Sequence, residues 1–149
     1  MNLTWFEKGQ SFHASGDYIK AIEAYTKDIE LNPQSANAYN NRGLAYGRLG
    51  NYQQAIIEFT KAIELNPQNA DAYNNRGIAY IGLGNCQQAI KEFDKAIKLD
   101  NQHTEAYTNR GGAYFKLGNT KQATKDLKVA ARLGNKEVQD VLESDGIDW

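Results

Sequence analysis

Gly9, Gly43, Gly77 and Gly111 stand 34 residues apart, and Ala21, Ala55, Ala89 and Ala123 keep the same interval at a second phase. A fixed period of this length marks an array of stacked units, each too small to bury its own apolar face without a neighbour. Residues 36–69 and 70–103 are identical at most positions and differ mainly where a helix would face solvent or a groove. Four units, 2–35, 36–69, 70–103 and 104–137, take up nearly all of the 149 residues, and 136–149 remain as an end piece. Arrays of this kind expose long surfaces and seldom converge catalytic groups, so the period points to binding.

Each unit reads as two amphipathic helices, A and B, separated by short breaks. In the second unit Ala38, Tyr39, Gly43, Ala45, Tyr46 and Leu49 form one apolar stripe at helical spacing, and Ala55, Ile56, Phe59, Ala62 and Ile63 form another. Between them, Leu49-Gly50-Asn51 and Leu83-Gly84-Asn85 supply a glycine for a left-handed helix end and an asparagine to cap the next helix, with Asp17 in that place in the first unit. Gln54, Gln88 and Gln122 stand at N3, from which an amide can reach back to the cap. Helix B is expected to stop before Asn32-Pro33 and Asn66-Pro67, because proline disfavours helix in the residue before it. Asn101 and Asn135 replace those prolines later, which predicts looser breaks there. After Gly134-Asn135, Val138, Val141 and Leu142 predict a short helix that shields the last unit and stops at Gly146. Ile147 and Trp149 would then fold back as an apolar plug or serve as a docking tail.

These residues resemble the tetratricopeptide repeat family over nearly the whole chain. The large residue at unit position 4 is Trp5, Tyr39, Tyr73 or Tyr107; position 11 is Phe12, Tyr46, Tyr80 or Tyr114; position 24 is Tyr25, Phe59, Phe93 or Leu127. Small residues at positions 8 and 20 let the two helices approach while the aromatics fill the gaps. Asp28 departs from the pattern at position 27, where Ala62, Ala96 and Ala130 stand in the other units. The resemblance implies an all-α solenoid, a right-handed superhelix of antiparallel helix pairs whose A helices line a concave groove.

Position 6 of helix A is Asn41, Asn75 and Asn109, with Asn40 and Asn74 just before two of them. Asparagine is a poor residue for a helix interior, so its recurrence there asks for a reason. An amide carries a donor and an acceptor and can pair with a peptide backbone whatever its side chains. The row resembles the asparagine ladder in the repeat superhelix of protein O-linked N-acetylglucosamine transferases, which holds extended peptide. The alternative is a solvated row copied by duplication. Around it, Leu44, Ile78, Ile81 and Phe115 offer apolar contact or inter-repeat packing, Asp71 and Glu105 lie toward one end of the A helices, and Arg48 and Lys116 toward the other. A peptide with apolar anchors and both charge signs suits such a surface.

Family members that grip Hsp70/Hsp90 tails use lysines and an arginine at positions 2, 5 and 6. Here position 5 holds Phe6, Asn40, Asn74 and Thr108, and position 2 holds Leu3, Asn37, Asp71 and Glu105. Without those cations a terminal carboxylate pair has no counter-charge, so that ligand does not fit. Position 7 instead carries Lys8, Arg42, Arg76 and Arg110. Folding each unit about its turn sets position 7 opposite position 23, where Glu58, Glu92 and Asp126 stand. The predicted structural pairs are therefore Arg42–Glu58, Arg76–Glu92 and Arg110–Asp126, with Asp28 also within reach of Arg42.

The formal charge of −1 argues against a nucleic-acid partner, and no apolar stretch nears the ~20 residues a bilayer crossing needs. The amino terminus lacks a basic segment followed by an apolar core, which together with a single cysteine, Cys86, leads to an expected cytoplasmic location. Cys86 stands where Tyr18 and Tyr52 stand in earlier units and reads as a packing residue. His13 and His103 fall in different units and suggest no metal site, while Gly112 and Gly118 lack the lysine-serine ending of a phosphate loop. No nucleophile–base set is visible, and neither enzymatic activity nor a cofactor is expected. Two functions remain: an adaptor holding a peptide segment of a partner protein in the groove, or an assembly element that self-associates or scaffolds a complex through its ends and convex face.

Overall fold

In the computed structural model, which describes residues 2–149, the described residues form nine α-helices and no strand. The A helices are α1 (Trp5–Ala14), α3 (Ala36–Arg48), α5 (Ala70–Gly82) and α7 (Thr104–Lys116). The B helices are α2 (Tyr18–Leu31), α4 (Tyr52–Leu65), α6 (Cys86–Leu99) and α8 (Thr120–Arg132), and α9 (Lys136–Ser144) ends the array. Each A helix packs on its own B helix, and α3, α5 and α7 pack also on the B helix before them, so burial runs as a continuous strip through the stack. The chain is an α-solenoid.

Local chemistry sets the helix ends. Gly50, at φ +77°, reverses the chain after α3, and Asn51 then accepts a hydrogen bond from the Gln54 backbone N–H at the start of α4. Asp17, Asn85 and Asn119 cap the other B helices in the same way. The N3 glutamines do not complete the reciprocal cap. Gln54 and Gln88 turn along the helix and donate to Glu58 and Glu92 at 2.9 and 3.0 Å. Donation from the amide nitrogen to a buried carboxylate holds each side chain along the helix, so its oxygen does not turn back to accept from the cap's backbone N–H, which water can serve instead.

The breaks after helix B also differ from expectation. The third, around Asn101, has the same turn as the two that contain proline, with cap dihedrals of −137° and 100° against −137° and 84° at Asn32. The residue before the proline position explains it: Asn32, Asn66 and Asp100 each accept from the backbone N–H two residues on. The side-chain turn holds the break, and proline is not needed.

Close approach within each unit rests on the glycine at position 8. A Cβ on Gly43 would lie 2.7 Å from the Phe59 ring and one on Gly77 2.5 Å from the Phe93 ring, so the ring occupies the place of the missing side chain. Cys86 packs at the edge of the same core as Ala89, Phe93 and Ala113. The A helices touch one another along the stack more than the B helices do, so the array curves with the A helices on its inner side.

At the end of the array, Val138 and Leu142 join Ala130 and Ala131 in a buried cluster, and Ile147 folds back against it. Val141 is half exposed, contrary to the assignment of all three apolar residues to the packed face. A helix of nine residues has little more than two turns, and positions 138 and 142 use up its one packed stripe. Trp149 keeps 37% of its surface in solvent.

Candidate peptide groove

Three hollows follow one another along the inner face, and each has a position-6 asparagine in its wall. The first, about 210 Å³, lies between α1 and α3 and is lined by Gln10, His13, Tyr25, Asn41 and Leu44. The second, about 420 Å³, lies between α3 and α5 with Leu44, Arg48, Asn75, Ile78 and Glu105 among its walls. The third, about 190 Å³, lies between α5 and α7 and includes Ile78, Ile81, Asn109 and Lys116. The same unit positions recur in all three because the repeat geometry recurs. Phe115 lies outside these hollows, 67% exposed, on the last turn of α7.

The asparagines are also joined to one another. Asn75 Nδ2 donates to Asn40 Oδ1 at 3.2 Å, and Asn109 Nδ2 donates to Asn74 Oδ1 at 3.0 Å. Asn135, at the cap of α9, continues the series by donating to Thr108. Position 5 of one unit is thus tied to the next unit along the stack. Asn74 is fully buried, and its assignment as a groove contact is corrected: it is an inter-repeat strut, as is the half-buried Asn40. A buried amide that lost this partner would cost more than the bond itself contributes. Asn75 and Asn109 line the second and third hollows, and each has one side-chain N–H and the carbonyl oxygen left without a side-chain partner among the described residues. Asn41 lies in the first hollow with Tyr25, whose phenol pKa burial pushes up and the neighbouring Asn41 amide pulls partly back.

The position-7 arginines occupy the other side of helix A. Arg42 Nε donates to Glu58 at 2.9 Å, Arg76 grips Glu92 through Nε and Nη2, and Arg110 grips both oxygens of Asp126 at 2.7 Å. Each arginine has a second partner in the preceding B helix: Thr26, Thr60 and Asp94. Asp28 makes no ion pair with Arg42 among the described residues; Thr26, two residues earlier, points toward the guanidinium instead. The hydrogen bonds from Arg110 to Asp126 and Asp94 favour its charged form against the opposing cost of burial. In the first unit position 23 is alanine, and Lys8 lies 4.1 Å from the Trp5 ring centroid instead.

The two histidines serve different ends. His103 Nδ1 accepts from the Ala106 backbone N–H and so caps α7, while Nε2 meets Asp71 at 2.9 Å. His13 sits in the first hollow with Nε2 buried and unpartnered. Burial first, and the Arg48 charge second, hold its imidazole below the ordinary 6.5. The unfolded chain therefore takes up this proton before the folded one as pH falls. Stability from this group is present above pH 6.5 and declines below it. Thermal midpoints measured between pH 7 and pH 5 should fall less steeply for His13→Phe than for the parent.

Among the described residues no helix is long and apolar enough to cross a membrane, and no three metal-ligating side chains converge. Models of the tetratricopeptide repeat match residues 34–109 and 104–135, and a further TPR repeat model matches 9–50. No match was found among curated protein sequences. Among solved structures, MamA is similar over 91% of this chain and 79% of its own, with 31% identity and a TM-score of 0.81. The Arabidopsis OM64 TPR domain is 31% identical over 75% of this chain and 93% of its own, with a TM-score of 0.73. The first TPR of Spaghetti (RPAP3), bound to the HSP90 peptide SRMEEVD, is 29% identical over 76% of this chain and 90% of its own, at 0.74. With family models spanning the repeats and the helix pairs stacked as described, the chain belongs to the tetratricopeptide repeat family.

Proposed function

We propose that the chain is a non-catalytic adaptor that holds an extended segment of a partner protein in the groove formed by its A helices. The observation that carries this reading is the recurrence of Asn41, Asn75 and Asn109 in the walls of three successive hollows. Amides spaced by one unit can pair with backbone groups along an extended segment, while Leu44, Ile78, Ile81 and Phe115 cover its apolar side chains. Arg48 and Lys116 on one rim, and Glu105 on the other, add charge selectivity more than affinity. The HSP90 peptide seen on Spaghetti is acidic, and a terminal carboxylate of that kind has no matching cations at positions 2 and 5 here. A protein partner, rather than nucleic acid or membrane, and a cytoplasmic setting belong to the same reading.

Asn75→Asp combined with Asn109→Asp tests it. An aspartate can still accept from a flipped Asn40 or Asn74 amide, so the strut keeps a partner, but the free N–H aimed at a peptide carbonyl is gone. Affinity capture from native extract should then lose the partners retained by the parent, while the melting midpoint moves by only a few degrees. Undiminished capture by the double variant would remove the amide row from the mechanism. The assembly reading is favoured by one observation, the exposed Trp149 beside Ile147 in the tail. It requires a concentration-dependent mass in light scattering that disappears when residues 147–149 are deleted.

A further inference from the structure

Helix interiors contain two glycines that the fold gives no reason for. Gly9, Gly43, Gly77 and Gly111 each face the position-24 side chain, and Gly82 faces the Tyr52 ring. A Cβ on Gly47 or Gly112, by contrast, would meet nothing within 4 Å. Glycine in a helix interior costs stability relative to alanine, and here no close approach requires it. Both of these glycines line hollows of the inner face, Gly47 the second and Gly112 the third.

The third hollow is the more specific of the two. Gly112 stands at the position that Leu44 and Ile78 fill in the units before it, so its side of the wall is left vacant. Ile78, Ile81 and Ala113 make the remaining wall apolar over a floor of fully buried Phe93. Its volume of about 190 Å³ lies below the ~300 Å³ of the smallest sites that enclose a drug-sized molecule. It suits a single side chain. At its rim, Lys116 has no carboxylate within salt-bridge distance among the described residues.

We propose that this hollow receives one bulky apolar side chain, leucine, methionine or phenylalanine, of the segment bound in the groove, with an acidic residue of that segment meeting Lys116. The pocket rests on the peptide-groove reading and adds to it a recognised sequence class. Apolar burial supplies affinity, and the lysine rejects a basic neighbour.

A phage library of random decapeptides, selected on the full chain, tests both levels separately. The parent should enrich peptides with Leu, Met or Phe within three residues of Asp or Glu. For a selected peptide labelled with fluorescein, changing its apolar anchor to alanine should weaken binding at least about tenfold. Gly112→Leu should weaken it by a similar factor, and the anchor change should then have little further effect, because the hollow is already filled. Open space at Gly112 means that this variant should melt no lower than the parent. Lys116→Glu should move the selected neighbour from acidic to basic. Enriched peptides without this pattern, or the same pattern on Gly112→Leu, would overturn the pocket and leave the groove standing. No enrichment on the parent would overturn groove and pocket together.

Discussion

Arg76→Ala is expected to lower the free energy of unfolding by roughly 3–5 kcal/mol, the range for stripping one partner from a buried ion pair. Arg76 Nε and Nη2 reach Glu92 at 2.9 and 2.8 Å, and the Glu92 side chain is only 8% exposed. Without the guanidinium, Gln88 alone would be left to satisfy a buried carboxylate. Arg76 also donates to Thr60 in the preceding helix, so its loss loosens the junction between the second and third units. Arg76→Leu combined with Glu92→Leu should recover most of the loss, since a buried pair is often no better than apolar residues of similar volume. Denaturant unfolding followed by helical circular dichroism gives both numbers. A cost below about 1 kcal/mol for Arg76→Ala, the value for an exposed pair, would mean that water reaches the site freely.

Phe93→Ala should cost about 3–5 kcal/mol, because the ring is fully buried and fills the space left by Gly77. The reciprocal change is more diagnostic. A methyl group on Gly77 would come within 2.5 Å of that ring, whereas one on Gly111 would come no nearer than 3.2 Å to Leu127. Alanine gains up to ~1 kcal/mol of helix propensity at either position. Gly77→Ala should therefore be net destabilising, by up to about 2 kcal/mol after that gain, and Gly111→Ala close to neutral. Introducing Phe93→Leu beside Gly77→Ala sets a leucine opposite position 8, as Leu127 stands in the fourth unit, and should relieve the clash. Equal costs at Gly77 and Gly111 would contradict this account of the helix contact.

The parts of this molecule that were legible in the sequence are those fixed within one unit. Arg76 and Glu92 could be matched by counting from the intervening turn, because both residues belong to the same helix pair. Their neighbour Thr60 could not, since its reach depends on how one unit is rotated on the next. The signal was nonetheless present: Thr26, Thr60 and Asp94 are polar at one phase of three B helices. The same limit explains the asparagines. Asn75 and Asn109 were visible as a row, but that they bond Asn40 and Asn74 depends on the inter-repeat rotation, and so the burial of Asn74 was missed. Gln54 and Gln88 stood at a capping position yet were drawn to buried carboxylates, a case of tertiary contact overriding a local rule. In the sequence Gly112 offers only an incomplete phosphate loop, whereas the open space beside it depends on how neighbouring units stack.

Backbone recognition by the amide row can be measured with an N-methyl scan of a bound peptide. A peptide selected on the groove is resynthesised with one backbone N–H methylated at a time, and each version is titrated by fluorescence anisotropy against the parent chain and against Asn75→Asp/Asn109→Asp. Methylation at two or three positions should weaken binding to the parent by about tenfold each, as loss of a desolvated hydrogen bond would. Those same positions should stay sensitive on the double variant, whose carboxylates still accept a backbone N–H, while every version binds it more weakly because the donor to a peptide carbonyl is gone. A flat methylation scan on the parent, with affinity set by side chains alone, would contradict backbone recognition.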